Sequence, residues 1–315
     1  MTINEKDVSI LIPTYNSEIF IKRCLTSAIN SNAGEIIISD DCSIDNTIKV
    51  IESFQDDRIN LIKNPTRLGL WENHLKLLLF STKSWLKFLQ ADDYLAENGL
   101  QAFCENEQEN LSIVSAISIN EWIDTSEQKA IFKLSQKKRW SSVDYLQRLK
   151  IVGNELGTPS NTLINKKSFI LDPSFWISNV SSDLIMNVIA ASKGDVVLLP
   201  SGPAIRTVHA NQDTSQQTID IIINRLINSV HLLRQTNNKQ IISFANIFYI
   251  IESIGIIRMI LGQMLRGKIK IAIKFFNLFR SQGINSFKVL FTEFSYIVKM
   301  YKWKFGRRDS FNLDF

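Results

Sequence analysis

The chain has 315 residues and a mass of 36.1 kDa, enough for about two domains of typical size and a sizeable core. Its 45% hydrophobic and 21% charged residues are typical of a globular protein, and only 12 Gly and six Pro exclude collagen-like and low-complexity chains. The three cysteines form no C-x-x-C pair, which argues against a zinc site or a disulfide framework. Because residues 1–7 also lack an apolar leader, we expect a cytoplasmic protein.

The net charge of +5 is distributed unevenly along the chain. Residues 235–315 contain 13 Lys and Arg but only four Asp and Glu, a balance of +9, so the first 234 residues carry −4. Gln, Asn, Ser and Thr cluster between about residues 212 and 240, where the composition changes. We therefore predict one domain over residues 1–212 and a basic, mostly helical region over residues 213–315.

Short apolar runs alternate with helical patterns in the first of these regions. Runs rich in β-branched residues predict strands at 8–13, 35–39, 85–89 and 196–200. Apolar residues recur at helical spacing in segments between them, at 20–29, 48–54 and 71–80. This alternation predicts an α/β fold built on an open parallel sheet with right-handed crossovers.

Two aspartate pairs, Asp40-Asp41 and Asp92-Asp93, directly follow predicted strands. Ligands of open α/β sheets bind beyond the carboxyl ends of the strands, so both pairs are expected to point into one cleft. Adjacent carboxylates repel each other unless a cation lies between them, and Mg²⁺ or Mn²⁺ bound together with substrate phosphates would supply that charge. The alternative is that these aspartates only cap loops or helices. Neither G-x-x-x-x-G-K nor G-x-G-x-x-G is present, which disfavours P-loop and dinucleotide-binding proteins.

Four segments then occur in a characteristic order: ILIPTYN (10–16), ISDDCSIDNT (38–47), NPTRLG (64–69) and FLQADD (88–93). In this order and spacing they resemble the successive signatures of glycosyltransferase family 2, over roughly residues 7–212. The resemblance implies an inverting enzyme with the GT-A fold, an α/β nucleotide-binding domain that uses a metal at a D-x-D-type motif.

The same resemblance implies roles for individual residues. Three residues at the end of the first strand would line the nucleotide pocket: Pro13, Thr14 and Tyr15. Asp41 would hydrogen-bond the nucleobase, since a carboxylate can accept from a uracil-type N–H. Arg67 would contact the nucleotide. Asp92 would lie near the ribose and the metal, and Asp93 would bind the metal.

Two later residues complete the implied site. Asp183, in the segment SSDL (181–184), resembles the catalytic base, which takes the proton of the acceptor hydroxyl as that oxygen attacks the anomeric carbon. The alternative for Asp183 is an ordinary helix N-cap after two serines. His209, in RTVH (206–209), resembles an R-x-H-type segment and would bind the metal or a phosphate, or else be a structural histidine.

The acceptor side and the departures from the family pattern concern fewer residues. Trp176 is a candidate for stacking on an acceptor sugar, and residues 157–162 resemble an acceptor-side loop whose alternative is a plain turn.

Gln90 replaces the first Asp of the frequent D-A-D-D form, so metal binding rests on Asp92 and Asp93. Ser182 stands where Glu is usual, and Cys42 replaces a common Gly. These departures leave room for a weakly active or inactive member.

The basic C-terminal region permits two interpretations. Residues 240–265 are apolar apart from Glu252 and Arg258, and because central charges are costly a membrane span is not favoured. Beyond them, Lys and Arg alternate with Ile, Phe, Tyr and Trp. Basic amphipathic helices of this kind suit an anionic membrane surface. The alternative is a helical part that packs on the rest of the protein.

The expected function is transfer of a hexosyl or N-acetylhexosaminyl group from a nucleotide-diphosphate donor, a UDP-sugar first of all, to a hydroxyl of a glycan. We expect Mn²⁺ or Mg²⁺ as cofactor, a lipid-linked acceptor of surface polysaccharide synthesis, and a location at the inner face of the cell membrane. One alternative is a non-catalytic nucleotide-sugar binding protein on the same fold. A nucleic-acid binder is disfavoured, because the basic residues are interleaved with too many Ile and Phe for a solvated arm.

Overall fold

The computed structural model describes residues 1–130, 134–168, 182–200, 202–210 and 219–265, together with residues 295, 296, 298, 299 and 301. In chain order the strands are β1 (Val8–Thr14), β2 (Glu35–Asp40), β3 (Ile59–Lys63), β4 (Trp85–Phe88), β5 (Tyr94–Leu95), β6 (Leu111–Ala116), β7 (Ile119–Trp122), β8 (Glu127–Ala130), β9 (Lys138–Trp140), β10 (Thr162–Asn165), β11 (Asp195–Leu199) and β12 (Ala204–Val208). The helices are α1 (Ile21–Ile29), α2 (Thr47–Glu52), α3 (Leu70–Phe80), α4 (Gly99–Cys104), α5 (Ser142–Val152), α6 (Ser182–Ala191), α7 (Ile219–Gln235) and α8 (Lys239–Leu265).

A large open sheet forms the centre of the molecule, with the strand order β3-β2-β1-β4-β10-β6-β11-β9. All seven residues of β1 are buried, as are all four of β4, because helices cover both faces of the sheet. The helix α1 turns Ile21, Cys24 and Leu25 towards it at helical spacing. The four predicted strands and three predicted helices are confirmed within one or two residues at their ends.

The sheet is parallel only in part. The strands β3, β2, β1 and β4 run parallel, whereas β10 is antiparallel to both of its neighbours, and β9 is antiparallel to β11. The expectation of a parallel sheet therefore holds for β3-β2-β1-β4 and for the pair β6-β11, but not for β10 and β9. After β4 the chain reaches the neighbouring position only at β10, through five intervening strands (β5 to β9) and the helices α4 and α5, and not by a single crossover helix.

The parallel register brings three strand ends to one edge. Thr14 lies opposite Asp40, and Leu11 lies opposite Phe88, the last residue of β4. The backbone continues this alignment beyond the strands, since the N–H of Asp41 donates to the carbonyl of Thr14 at 2.9 Å and that of Leu89 to Leu11 at 2.9 Å. The residues that follow β1, β2 and β4 therefore share one edge of the sheet.

A second sheet, with the order β5-β12-β7-β8, was not expected from the sequence. The strand β12 lies between β5, to which it is antiparallel, and β7, to which it is parallel. It begins soon after β11, so it carries residues 204–208 from the far half of the large sheet back towards the end of β4.

The helices α7 and α8 pack on the rest of the protein. Phe244 and Ile251 of α8 are fully buried in a core that also contains Tyr145 and Leu149 of α5. Further along the chain, the Tyr296 hydroxyl donates to Gln147 of α5 at 3.3 Å. The described part of the C-terminal region therefore follows the packed alternative. None of the helices in that part of the chain combines the length and hydropathy of a membrane span. The basic residues at 266–294 and 302–315, and the predicted boundary at 212, lie outside the described residues.

The first testable prediction concerns the buried ion pair that anchors α5. Arg148 donates through Nε to Glu155 Oε1 at 2.7 Å and through Nη2 to Oε2 at 2.9 Å, with both side chains less than a tenth exposed. Glu155→Ala leaves a buried guanidinium without its carboxylate, so we expect a loss of about 3–5 kcal/mol in the free energy of unfolding in urea. The control is Glu52→Ala, which removes an exposed pair with Lys63 and is expected to cost less than ~1 kcal/mol. Equal losses for the two variants would contradict this account.

Candidate active site

A cleft of about 780 Å³ lies at the shared edge formed by the ends of β1, β2 and β4. Residues from β12, α6 and α7 also line it. The nine residues that the family resemblance assigned to the nucleotide, the metal or the base all line it: Pro13, Thr14, Tyr15, Asp41, Arg67, Asp92, Asp93, Asp183 and His209. The fold thus brings together residues that are up to 196 positions apart in the chain. Trp176 lies outside the described residues.

One end of the cleft is shaped by the loop after β3. The Arg67 guanidinium lies 4.0 Å above the ring of Tyr15, a cation–π contact across the cleft. Asp41 fixes the same loop, because its carboxylate accepts from the N–H groups of Leu68 at 2.6 Å and Gly69 at 2.8 Å. Gly69 has a φ of 93°, which a residue with a Cβ rarely adopts. Oδ1 of Asp41 also accepts from the Asn64 amide at 3.4 Å, whereas Oδ2, the partner of Gly69, retains a lone pair that a nucleobase N–H could use. The contact of Asp41 with a nucleobase stays a prediction.

Asp40 does not reach the cleft. The expectation that both aspartates of the first pair point into it is therefore wrong for Asp40 and holds for Asp41. The Asp40 side chain is fully buried and accepts from the Ser43 N–H at 2.9 Å and from the Ser43 hydroxyl at 2.5 Å. These bonds close the turn after β2, which is the capping alternative. Cys42 in this turn has a φ of 66°, which explains why glycine would also suit the position.

The second pair lies at the centre of the cleft, and its two carboxylates have different environments. Asp93 is buried and accepts from the N–H of Thr207 in β12 at 2.9 Å. Burial raises the pKa of Asp93 to about 7, and the charge of Asp92 acts in the same direction. Asp92 is more exposed and lies 3.1 Å from Nε2 of His209, whose ring stacks on Phe20 with centroids 4.6 Å apart.

These groups are suited to a hard divalent cation. Among the described residues, no three His, Cys, Asp or Glu side chains are arranged as a complete metal site. Mg²⁺, however, is commonly held by only one or two carboxylates together with substrate phosphates. The raised pKa of the buried Asp93 beside Asp92 marks a position where added positive charge would be favourable. The donor set therefore fits Mg²⁺ or Mn²⁺.

Asp183 stands in the first turn of α6 and lines the cleft, as do Thr158 and Pro159 of the predicted acceptor-side loop. Its carboxylate accepts a hydrogen bond from the N–H of Leu184, so it also stabilises the start of the helix. Burial raises the pKa of Asp183, against the opposing charges of Arg225 and Arg206. Asp183 therefore both stabilises the first turn of α6 and lines the cleft.

Lys87 and Arg225 are cationic residues that the sequence analysis did not single out. Lys87 is fully buried in β4, its ammonium group donates to the carbonyl of Ser160, and it lies 4.5 Å from the centre of the Phe103 ring. Burial lowers the pKa of Lys87 to about 7, while the charge of Asp93 opposes that shift. Lys87 could have been noticed in the sequence, because it is the single charged residue of the apolar strand at 85–89. Arg225 lines the cleft from α7, and nothing in the local sequence pattern distinguishes it.

An arginine on α1 fixes the position of β12 at the cleft. Arg23 pairs with Glu121 of β7 at 2.7 Å and donates to the Thr207 hydroxyl at 2.6 Å. Its guanidinium also covers the ring of Tyr94 at 4.2 Å. Because the N–H of Thr207 holds Asp93, Arg23 connects α1 and the second sheet to the central carboxylate.

The sequence model of "Glycosyl transferase family 2" matches residues 9–169, a little more than half of the chain. The chain belongs to this family. The segment that matches the family model ends before α6. Four residues of the cleft therefore lie beyond it: Asp183, Arg206, His209 and Arg225.

Characterised relatives resemble short segments of the chain. It is 32% identical over 123 residues to the "Minor teichoic acid biosynthesis protein GgaA" of Bacillus subtilis, which is 34% of this chain and 27% of that protein. It is 34% identical over 97 residues to the "UDP-Glc:alpha-D-GlcNAc-diphosphoundecaprenol beta-1,3-glucosyltransferase WfgD" of Escherichia coli, which is 30% of this chain and 38% of that protein. The matched segments thus span well under two thirds of either relative.

Solved structures resemble more of the chain. S. aureus TarS 1-349, crystallised with UDP-GlcNAc, superposes with a TM-score of 0.59 over 77% of this chain and 70% of that one, at 15% sequence identity. A likeness at this identity establishes the fold alone. The family member described here has the GT-A fold, with a helical C-terminal region packed on it.

Gln90, which departs from the frequent family pattern, is paired with a buried histidine. Nδ1 of His74 lies 2.6 Å from the carbonyl of Leu70, and Nε2 lies 2.9 Å from the amide nitrogen of Gln90. Burial lowers the pKa of His74 to about 4, so the ring is neutral near pH 7. The Leu70 carbonyl can only accept, so Nδ1 carries the proton and Nε2 accepts from Gln90. A carboxylate at position 90 would meet a second acceptor.

The second prediction follows from this pair. Gln90→Glu is expected to lower the free energy of unfolding by about 1–3 kcal/mol at pH 8, because neither the new carboxylate nor Nε2 of His74 can donate. The loss should shrink towards pH 5, where a proton on either group restores a donor. Chemical denaturation at both pH values measures it, with the exposed Gln55→Glu as the charge-matched control. A loss that matches the control at both pH values would contradict the assigned tautomer.

Proposed function

We propose that this glycosyltransferase is an inverting, metal-dependent enzyme that moves a sugar from a UDP-sugar to a hydroxyl of a lipid-linked glycan during surface polysaccharide synthesis. The observation that carries the proposal is the cleft itself. It holds the residues proposed for the nucleotide, the carboxylate pair Asp92 and Asp93, and the candidate base Asp183.

The nucleotide is assigned to the end of the cleft that contains Tyr15, Asp41 and Arg67. An aromatic ring covered by a guanidinium offers a flat, cationic surface next to a buried carboxylate. The hydroxyl of Thr14 is buried there without a hydrogen-bond partner in the described structure, so a ligand would satisfy it. Uridine as the base is supported by the UDP-GlcNAc bound to TarS and by the UDP-Glc in the name of WfgD.

The metal is assigned to Asp93 and Asp92, with His209 beside them. When bound, Mg²⁺ or Mn²⁺ supplies positive charge against the diphosphate that leaves the sugar. The protein's own contribution is to hold Asp93 still, through the N–H of Thr207 and the ion pair of Arg23 that positions β12. His209 orients Asp92 through the 3.1 Å contact.

Asp183 is assigned the proton transfer on the acceptor side. Its carboxylate takes the proton of the acceptor hydroxyl while that oxygen forms its bond to the anomeric carbon. The bond from the anomeric carbon to the diphosphate oxygen breaks with its electron pair on the diphosphate. Attack opposite to the leaving group inverts the configuration. The raised pKa of Asp183 supports the role, because a base with a pKa nearer neutrality accepts a proton more effectively.

The acceptor and the location rest on indirect support. GgaA is named for teichoic acid biosynthesis and WfgD for a diphosphoundecaprenol acceptor. The excess of +9 in residues 235–315 supports contact with an anionic membrane at its inner face.

The third prediction tests the base. With Mn²⁺ and a panel of UDP-sugars, Asp183→Asn is expected to lower the rate of donor turnover by a factor of about 10²–10⁴, since the amide cannot take a proton. The Kd of UDP, measured by calorimetry, should stay within about twofold of the wild type. Asp144→Asn, which removes an exposed carboxylate from the first turn of α5, is the matched control. If the wild type binds UDP but turns over no donor, the non-catalytic alternative replaces this proposal.

The fourth prediction concerns pH. Asp183 acts in its deprotonated form, so the rate should fall as the pH is lowered through its pKa. Burial raises that pKa above the ordinary 3.8, which places the acid limb of kcat above pH 3.8. The limb should disappear from the residual activity of Asp183→Asn. An unchanged limb in this variant would assign it to another group.

A further inference from the structure

Two arginines face Asp183 without forming an ion pair. Arg206 of β12 and Arg225 of α7 both line the cleft, and among the described residues neither lies within 4.0 Å of a carboxylate oxygen. The Nε–H of Arg225 is buried and donates to no atom of the protein that the structure describes. A buried guanidinium donor of this kind is costly unless a ligand satisfies it.

The position of Arg225 assigns it to the side of the cleft that holds the base. Ile222 and Arg225, three residues apart on α7, turn the same helical face towards the cleft. Helix α7 follows β12, and the Ser229 hydroxyl donates to the Arg225 carbonyl at 2.6 Å one turn further on. The charges of both arginines act on Asp183, and that of Arg206 also acts on Asp93.

This arrangement is informative about the acceptor. In an inverting reaction the base and the acceptor lie on the face opposite to the leaving diphosphate. An uncharged sugar acceptor would offer the buried Nε–H of Arg225 no charged oxygen, although Asp183 lies close enough to feel the charge of this arginine. Guanidinium groups form their strongest hydrogen bonds with phosphate and carboxylate oxygens, and a phosphate offers several acceptors to one fork.

We infer that Arg225 binds a phosphate group of the acceptor, close to the hydroxyl that Asp183 deprotonates. This inference rests on the proposed function and narrows its acceptor to phosphate-bearing molecules. Two sources share this chemistry: a polyol-phosphate polymer, and a sugar attached to a lipid through a diphosphate. Ile222, beside Arg225 on the same face, adds an apolar surface that either source would contact.

The test measures binding to the full-length protein saturated with UDP and Mn²⁺. The polyol-phosphate probe is sn-glycerol 3-phosphate, with glycerol as its uncharged match. The lipid-diphosphate probe is GlcNAc diphosphate on a short alkyl chain, with the alkyl GlcNAc glycoside as its match. The variants are Arg225→Gln, which removes the charge, and Arg225→Lys, which keeps it. Lys239→Gln removes an exposed charge at the start of α8 and is the control.

At least one phosphate probe should bind the wild type about tenfold or more tightly than its uncharged match. Arg225→Gln should lose that preference, Arg225→Lys should retain part of it, and Lys239→Gln should stay within about twofold of the wild type. The probe that shows the preference identifies the source of the phosphate. The Kd of UDP should change by less than about twofold in every variant, which also reports that the cleft is folded.

Three results would overturn the inference. One is equal binding of the charged and uncharged probes by the wild type. Another is a preference that survives in Arg225→Gln. The last is a loss of UDP affinity in Arg225→Gln as large as the loss for the phosphate probe, which would assign Arg225 to the donor. Failure of the proposed function is distinct from these, because it would appear as a wild type that binds no UDP.

Discussion

The hydrogen bond from the Thr207 N–H to Asp93, 2.9 Å long, joins the second sheet to the end of β4, and the geometry of the cleft depends on it. The strand that donates this bond also carries Arg206 and ends just before His209. Arg23 holds the same residue through its hydroxyl, so α1, β7 and β12 are fixed relative to one carboxylate. If β12 shifted by one residue, Arg206 and His209 would both leave their places around Asp93, because successive side chains of a strand point to opposite faces.

The distribution of charge along the chain says more about the cleft than the net charge of +5 does. The first 234 residues carry −4, and this part of the protein collects Asp92, Asp93 and Asp183 in one cleft. Burial raises the pKa of Asp93 and Asp183, since desolvation disfavours their charged forms. The charges of Arg206 and Arg225 act against this effect. A cleft lined by both carboxylates and guanidinium groups suits an anionic substrate that arrives together with a cation.

Much of this could be predicted from the sequence, because the fully buried strand β1 and its neighbours give strong local patterns and the aspartates follow the strand ends. The rest depends on long-range geometry. Their position after a strand does not distinguish Asp40 from Asp41; the family resemblance selected Asp41, and the turn at Ser43, which binds Asp40, gives the physical reason. Arg225 lies on an ordinary amphipathic helix, and its role appears only when α7 packs beside α6. The second sheet consists of strands of two to five residues, too short to give a periodic signal.

The central claim is that one cleft arranges a nucleotide, two carboxylates and a base for inversion. The most direct test of this claim is the anomeric configuration of the product. The turnover of an α-linked UDP-sugar is followed by ¹H NMR from the first minutes, so that the anomeric signal of the product is recorded before mutarotation. The account predicts a β-configured product, whether the attacking oxygen comes from an acceptor or from water. An α-configured product would show retention, and it would contradict the role of Asp183 as the base of a single displacement.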